Sequence, residues 1–350
     1  MNETAKLIDA HLTLYPDLQP EDIYKLVYQN EFGGGHLIND LNECRDRIIS
    51  ELYCTRDDKL SPLYTDIGNS RVRLEMKNPE VRALGADTLC RIFACSSERM
   101  GTVESFEKKL DEVSAHLASK YPFMSSHFNN YIKDRRREKY PAVSHSEKYR
   151  QLYSPSYRVI NSEYLRLIPL FVLINKVLAA KPTAVIALDG HCASGKTTAA
   201  SLISGVYDAN VIHTDDFFLP QDMRTPERLN QPGGNVHYER LKDEVIAGIR
   251  SGRAFSYRIF GCSDMDFLHT AGVLPKPLTI IEGAYSTHPA LDFKYDIVCF
   301  FDIAPDEQER RILLRNGQQM LERFRNKWIP LENRYFDFCR IKETSDLIIK

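Results

Sequence analysis

The order of apolar and polar positions divides the chain near residue 180. Before that point the apolar residues recur at helical spacing. Leu7, Ile8, His11 and Leu12 share one face until Pro16 stops the run, and Pro20 opens a second helix carrying Ile23, Leu26 and Val27. Gly33-Gly34-Gly35 breaks the pattern, which reads as an interhelical turn. Leu37, Ile38, Leu41, Cys44, Ile48 and Leu52 mark the next helix. Cys54 to Ser70 is polar and reads as a loop. Asn78-Pro79 is a cap and first turn ahead of Val81, Leu84, Leu89, Ile92 and Phe93. Val103, Phe106, Leu110, Val113 and Leu117 alternate by three and four, as on an amphipathic helix. A last helix starts near Pro169 and buries Leu170, Phe171, Ile174, Val177 and Leu178. Residues 1–180 therefore read as a mainly α-helical domain.

From Thr183 the pattern changes. Val185 to Leu188, Val211 to Thr214, Thr279 to Ile281, Ile297 to Ile303 and Leu347 to Ile349 are short continuous apolar runs, as in strands buried on both faces. Helical segments alternate with them: Lys196 to Val206, Tyr238 to Arg250 and Pro305 to Trp328. Phe255 to Phe260 and Phe267 to Val273, joined through Gly261-Cys262-Ser263-Asp264, read as a β-hairpin over the ligand edge. Residues 181–350 are thus α/β, a parallel sheet wrapped by helices, with ligands bound beyond the carboxyl ends of the strands.

The first of those strands runs into Gly190-His191-Cys192-Ala193-Ser194-Gly195-Lys196-Thr197-Thr198 and then a helix. This is the G-x-x-x-x-G-K-[ST] phosphate-binding loop in its strand-to-helix setting, and the sheet is of the P-loop NTPase type. Its backbone N–H groups and the following helix start face phosphate oxygens, Lys196 reaches the β- and γ-phosphates, and the Thr197 hydroxyl holds Mg²⁺. Strand Val211 to Thr214 ends in Asp215-Asp216-Phe217-Phe218, and strand Thr279 to Ile281 ends in Glu282-Gly283. Each places an acid at the ligand edge. A carboxylate there can take a hydroxyl proton during phosphoryl transfer or hold Mg²⁺.

The loop, the Asp215-Asp216-Phe217-Phe218 element, Gly234-Asn235-Val236-His237-Tyr238, Tyr257, Glu282-Gly283, the helix ERRILLRNG and the final SDLII occur in one order. In that order they resemble the phosphoribulokinase and uridine kinase family of P-loop small-molecule kinases, over Thr183 to Lys350. The resemblance implies an ATP- and Mg²⁺-dependent phosphotransferase acting on a hydroxyl of a small metabolite. It makes Asp215 the general base, Thr197 and Glu282 the metal-side residues, and Arg311 and Arg315 lid arginines that share a helix face and cover the transferring phosphoryl group. On the acceptor side it points to Asp215, Arg224, His237 and Tyr257. Uridine kinases carry an acid for the ribose hydroxyls where this chain has His237, which can bond a hydroxyl but does not accept in pairs as a carboxylate does. A nucleoside is the first acceptor implied; pantothenate, glycerate or a sugar are alternatives. A nucleotide-dependent sensor is the reading from a different class.

Composition narrows this little. The 350 residues are 43% hydrophobic and 27% charged, as in an ordinary globular protein, and a net charge of −2 gives no support for bulk nucleic-acid or membrane binding. The start of the chain has no secretory pattern, and the eight cysteines form no C-x-x-C pair, so reduced thiols and a cytoplasmic setting are expected. The first half keeps two unexplained features. One is Asn30 to His36 with its three glycines; the other is the aromatic segment Tyr140 to Tyr157, which either docks against the rest or lines a second ligand site. His36 and His145 read as structural, since no metal-type spacing is present.

Overall fold

The computed structural model describes every residue except Met1, Asn39, Asp57, Glu98 to Met100, Cys262 and Ser263. It resolves into two compact units, Met1–Ile168 and Pro169–Lys350. The helix Ile168–Ala180 thus falls almost wholly in the second unit, not the first, because it packs there: Phe171 lies against Tyr207, whose hydroxyl donates to Asn175 Oδ1 at 2.7 Å.

In the first unit the helical spacing is realised as Glu3–Leu14, Pro20–Phe32, Leu41–Cys54, Gly85–Ser97, Val103–Lys120 and Pro122–Arg137. Ile8, Ile23, Leu26, Val27, Phe106, Leu110, Val113, Leu117 and Phe128 meet in one core. The caps are those the residue types demand: Asn78 Oδ1 accepts from the Glu80 N–H, and Thr102 Oγ1 from the Ser105 N–H. What the periodicity does not show is an antiparallel sheet of three strands, β1 Tyr64–Asp66, β2 Arg71–Glu75 and β3 Tyr157–Asn161, paired in that order. β1 lies inside the stretch expected to be a loop. β2 alternates arginine with Val72 and Leu74, the pattern of a strand with one wet face, yet Arg71 and Arg73 are each 2% exposed. Arg71 is held by donation to the Asn30 carbonyl at 2.8 Å, at the carboxyl end of the helix Pro20–Phe32, where a cation meets the negative end of the helix dipole. The three glycines do more than turn the chain: a Cβ on Gly34 would stand 2.6 Å from Phe93 Cε2, so the backbone passes too close for any side chain.

In the second unit the strands are β4 Ala184–Gly190, β5 Ala209–His213, β8 Leu278–Glu282, β9 Ile297–Phe301 and β10 Leu347–Ile349, with the ribbon β6 Phe255–Gly261 and β7 Asp266–Val273 between β5 and β8. The sheet is parallel throughout, in the order β10-β9-β4-β8-β5. Its register sets Leu188 of β4 and His213 of β5 both opposite Glu282 of β8. The ends of β5 and β8 therefore meet at one carboxylate, with Leu188 of β4 on its other side. The ribbon forms as expected; part of its expected turn, Cys262 and Ser263, lies outside the described residues. The helical run expected over Pro305 to Trp328 is broken at Gly317, at φ +78°, into Pro305–Asn316 and Gln318–Arg323, followed by a wide turn and the helix Ile329–Cys339. Among the described residues no helix is long and apolar enough to cross a membrane, and the seven described cysteines are free thiols.

Candidate phosphate-binding active site

Gly190 ends β4 at φ +126°, and a Cβ there would lie 2.3 Å from the Phe301 carbonyl oxygen of β9. Only glycine lets the chain leave the sheet at this point and wrap the loop. Asp189, wholly buried beside it, holds the neighbouring turn in place. It accepts from the N–H groups of Gly190, Tyr285 and Thr287 and from the hydroxyls of Thr287 and Tyr335. Tyr285 is kept at φ +75°, a strained conformation for a bulky residue, and the Asp189 bond to its N–H spans 3.1 Å. The loop closes at Gly195, and the helix Lys196–Val206 begins with its free N–H groups directed at the loop's interior. Lys196 Nζ donates to the carbonyl oxygens of Gly190 and His191 at 2.7 and 2.8 Å, so the ammonium sits across the loop.

The loop opens onto a cavity of about 650 Å³. Ala193, Gly195, Lys196, Thr197 and Thr198 line one side. Asp215 and Glu282 line the strand edge, and Arg224, Arg311 and Arg315 complete the charged wall. Thr197 Oγ1 donates to Glu282 Oε1 at 3.0 Å, and the same oxygen meets His213 Nδ1 at 2.5 Å. Glu282 in turn lifts His213 above the ordinary imidazole range. Asp215 faces the open cavity while being enclosed on its other sides. That enclosure, with the nearby Glu282 charge, raises its carboxyl above the usual range, in the direction a proton acceptor working near neutrality needs. Arg311 reaches the loop itself, donating to the Ala193 carbonyl at 3.2 Å while its Nε is held by Glu307.

Four expected site residues do not line this cavity. Gly190 and Ser194 shape the loop from behind. His237 Nδ1 accepts from the Arg240 N–H at 3.2 Å, capping a helix start, and Tyr257 is 5% exposed, stacks on Phe217 and donates to Asp216 Oδ2 at 3.3 Å. Arg228, close in sequence to Arg224, is spent on Glu239 and on the Tyr238 ring.

In their place the fold brings residues the sequence did not single out. Phe218, Met320, Phe324 and Trp328 form an apolar, aromatic wall, and Asn235, Tyr285 and Glu332 add polar groups. Asn235 is 6% exposed, and its buried Oδ1 has no hydrogen-bond partner. Glu332 is 7% exposed; its Oε2 accepts from the Cys192 N–H of the loop at 2.9 Å. Burial pushes its carboxyl up to about 7, against the pull of Lys196. Burial, and then Glu332, also push the Cys192 thiol up, the direction that disfavours a thiolate. No sequence signal marks Glu332, which comes from a helix some 140 residues beyond the loop.

No protein-family profile matches the chain, and no curated protein matches it. Among solved structures it is similar to one described as a possible uridine kinase from Bacillus stearothermophilus, at 16% identity and a TM-score of 0.40, covering 54% of this chain and 99% of that one. It is similar at 20% identity and a TM-score of 0.40 to a candidate fructose transport system kinase from Silicibacter sp. TM1040, covering 51% of this chain and 97% of that one.

Proposed function

We propose that the second unit is an ATP- and Mg²⁺-dependent kinase that phosphorylates a hydroxyl of a small metabolite, a nucleoside being the first acceptor to test. The observation that carries this reading is the single cavity shared by the phosphate loop and Asp215, a carboxyl with a raised pKa. A nucleotide-binding switch has no use for a proton acceptor in that place. The loop N–H groups and Lys196 would hold the donor's phosphates, and Arg311 and Arg315 would cover the phosphoryl group as it moves. Thr197 Oγ1 and Glu282, hard oxygen donors 3.0 Å apart, fit Mg²⁺, which when bound neutralises phosphate charge. Asp215 takes the acceptor's hydroxyl proton at a carboxylate oxygen. The aromatic wall of Phe218, Phe324 and Trp328 suits a flat ligand.

The test is a screen of nucleosides, pantothenate, glycerate and sugars with labelled ATP, followed by Asp215→Asn on the best acceptor. Turnover should drop by about a thousandfold with nucleotide affinity little changed. Undiminished turnover would remove Asp215 as the base, and no phosphorylated product from any acceptor would favour the sensor reading.

A further inference from the structure

The cavity wall supplied by the last helices has a regularity that phosphoryl transfer by itself does not require. Met320, Phe324, Trp328 and Glu332 all line the cavity, and each is four residues from the next. Four residues of α-helix overshoot a full turn by about 40°, so such a series should wind away from one surface. Here the backbone stays helical throughout, but Phe324–Trp328 is a π turn, which takes more residues per revolution and absorbs part of the overshoot. One stripe of side chains therefore runs along the cavity, apolar from Met320 to Trp328 and acidic at Glu332. At the helical rise, Phe324 and Glu332 are at most about 12 Å apart along it.

The apolar and acidic parts of the stripe have different neighbours. The Trp328 ring lies 6.3 Å, centre to centre, from that of Phe218, three residues after Asp215. Glu332, 7% exposed, accepts from the Cys192 N–H of the loop at 2.9 Å. Apart from Cys192, no described residue hydrogen-bonds or ion-pairs with its carboxyl. Lys196 acts on it only through space, since that ammonium is held by the Gly190 and His191 carbonyls. Asp215 and Glu332 feel each other's charge, so the two acids stand at the same end of the cavity. A carboxylate accepts up to about four hydrogen bonds, so Glu332 keeps acceptor capacity inside a closed wall.

Asp215 is the group that meets the hydroxyl to be phosphorylated. A donor within reach of Glu332 is then a second hydroxyl on the same acceptor, and a ring joined to that hydroxylated part falls on Trp328 and Phe324. Because Trp328 neighbours Phe218 on the Asp215 segment, this ring belongs to the acceptor and not to the adenine of the phosphate donor. Resting on the kinase reading above, we propose that Glu332 binds the acceptor through a hydroxyl other than the one phosphorylated, while Phe324 and Trp328 carry the acceptor's planar ring. A ribonucleoside has these parts in this order.

Trp328 is the only tryptophan of the chain, so its fluorescence reads occupancy of this wall without any turnover. The test titrates the four common ribonucleosides and their 2′,3′-dideoxy counterparts into the full chain at pH 8, without nucleotide. At least one ribonucleoside should shift the emission saturably and bind roughly tenfold more tightly than its dideoxy form; in Glu332→Gln that ratio should fall below about threefold. Glutamine can still accept the Cys192 N–H, and circular dichroism checks that the variant is folded. The proposal is overturned by no saturable shift with any of the four, by equal binding of the two forms to the wild type, or by an unchanged ratio in the folded variant. Displacement of the nucleoside by ADP and Mg²⁺ would assign the wall to the donor's base and overturn it too. The wild-type titrations stand whether or not the variant folds. Selective binding with no phosphorylated product would sink the kinase reading, whereas a phosphorylated nucleoside with no shift at Trp328 would sink this assignment alone.

Discussion

Both units bury charged side chains, but they treat the charge differently. Around the phosphate loop, Asp215, Glu282 and Glu332 stand with Lys196, Arg311 and Arg315 on the wall of one cavity. Burial there pushes the Asp215 and Glu332 carboxyls up, and the Glu282 charge adds to the effect on Asp215. In the first unit the Asp22, His145, Tyr157, Gln29 and Arg73 side chains form a continuous hydrogen-bonded chain inside the protein, where neutral partners satisfy most of the donors and acceptors. A perturbed titration therefore has two meanings here. Beside the cavity it marks groups that line the proposed ligand site; within the chain of hydrogen bonds it marks groups that hold the fold together.

Three measurements sharpen or break that contrast. The largest effect should come from Glu332→Gln. A carboxyl whose pKa rises from 4.5 to about 7 on folding binds more protons in the folded state, so the wild type loses stability as pH climbs through that interval. The loss is on the order of 3 kcal/mol and should be absent from the glutamine variant when denaturant unfolding is compared at both ends of the interval. The same variant should bind nucleotide more tightly than wild type on the alkaline side, because the ionised Glu332 repels phosphates. An unchanged pH profile would mean that Glu332 is not a cavity group in the sense argued above.

His145→Ala comes next. It removes a hydrogen-bond partner from a buried carboxylate and a ring stacked on Tyr149, and should cost about 2–3 kcal/mol in unfolding free energy with nucleotide affinity unmoved. Weaker nucleotide binding without loss of stability would erase the distinction between the two regions. The smallest effect is expected from Tyr257→Phe. The lost bond to Asp216 is long, so the cost should be about 0.5–1 kcal/mol, with the acceptor's KM unchanged. A severalfold rise in that KM would return Tyr257 to the acceptor site.

The alternation of strands and helices and the glycine–lysine–threonine loop were legible in order, because a parallel sheet covered on both faces needs continuous apolar strands and the loop needs glycine where β4 meets β9. The acids at the ends of β5 and β8 were legible for the same reason. The helical spacing of the first unit, with its proline and asparagine caps, was equally plain. The small sheet of β1, β2 and β3 was not. Arginines alternating with Val72 and Leu74 imply water on one side, and only the carbonyl oxygens of a helix end and the Gln29 amide, brought from 40 residues away, let that side close.

The acceptor side of the cavity shows the same limit. Arg224 lines the cavity, but His237 and Tyr257 are taken up by a helix cap and by packing on Phe217. Asn235, Trp328 and Glu332 enter instead from separate segments. Local chemistry determined the strand, loop and helix of the proposed phosphate site, because those requirements are met within a few neighbouring residues. The aromatic wall of the cavity, the Glu332 contact to the loop and the burial of Arg73 were decided by tertiary structure, because each depends on which distant residue the packing sets against it.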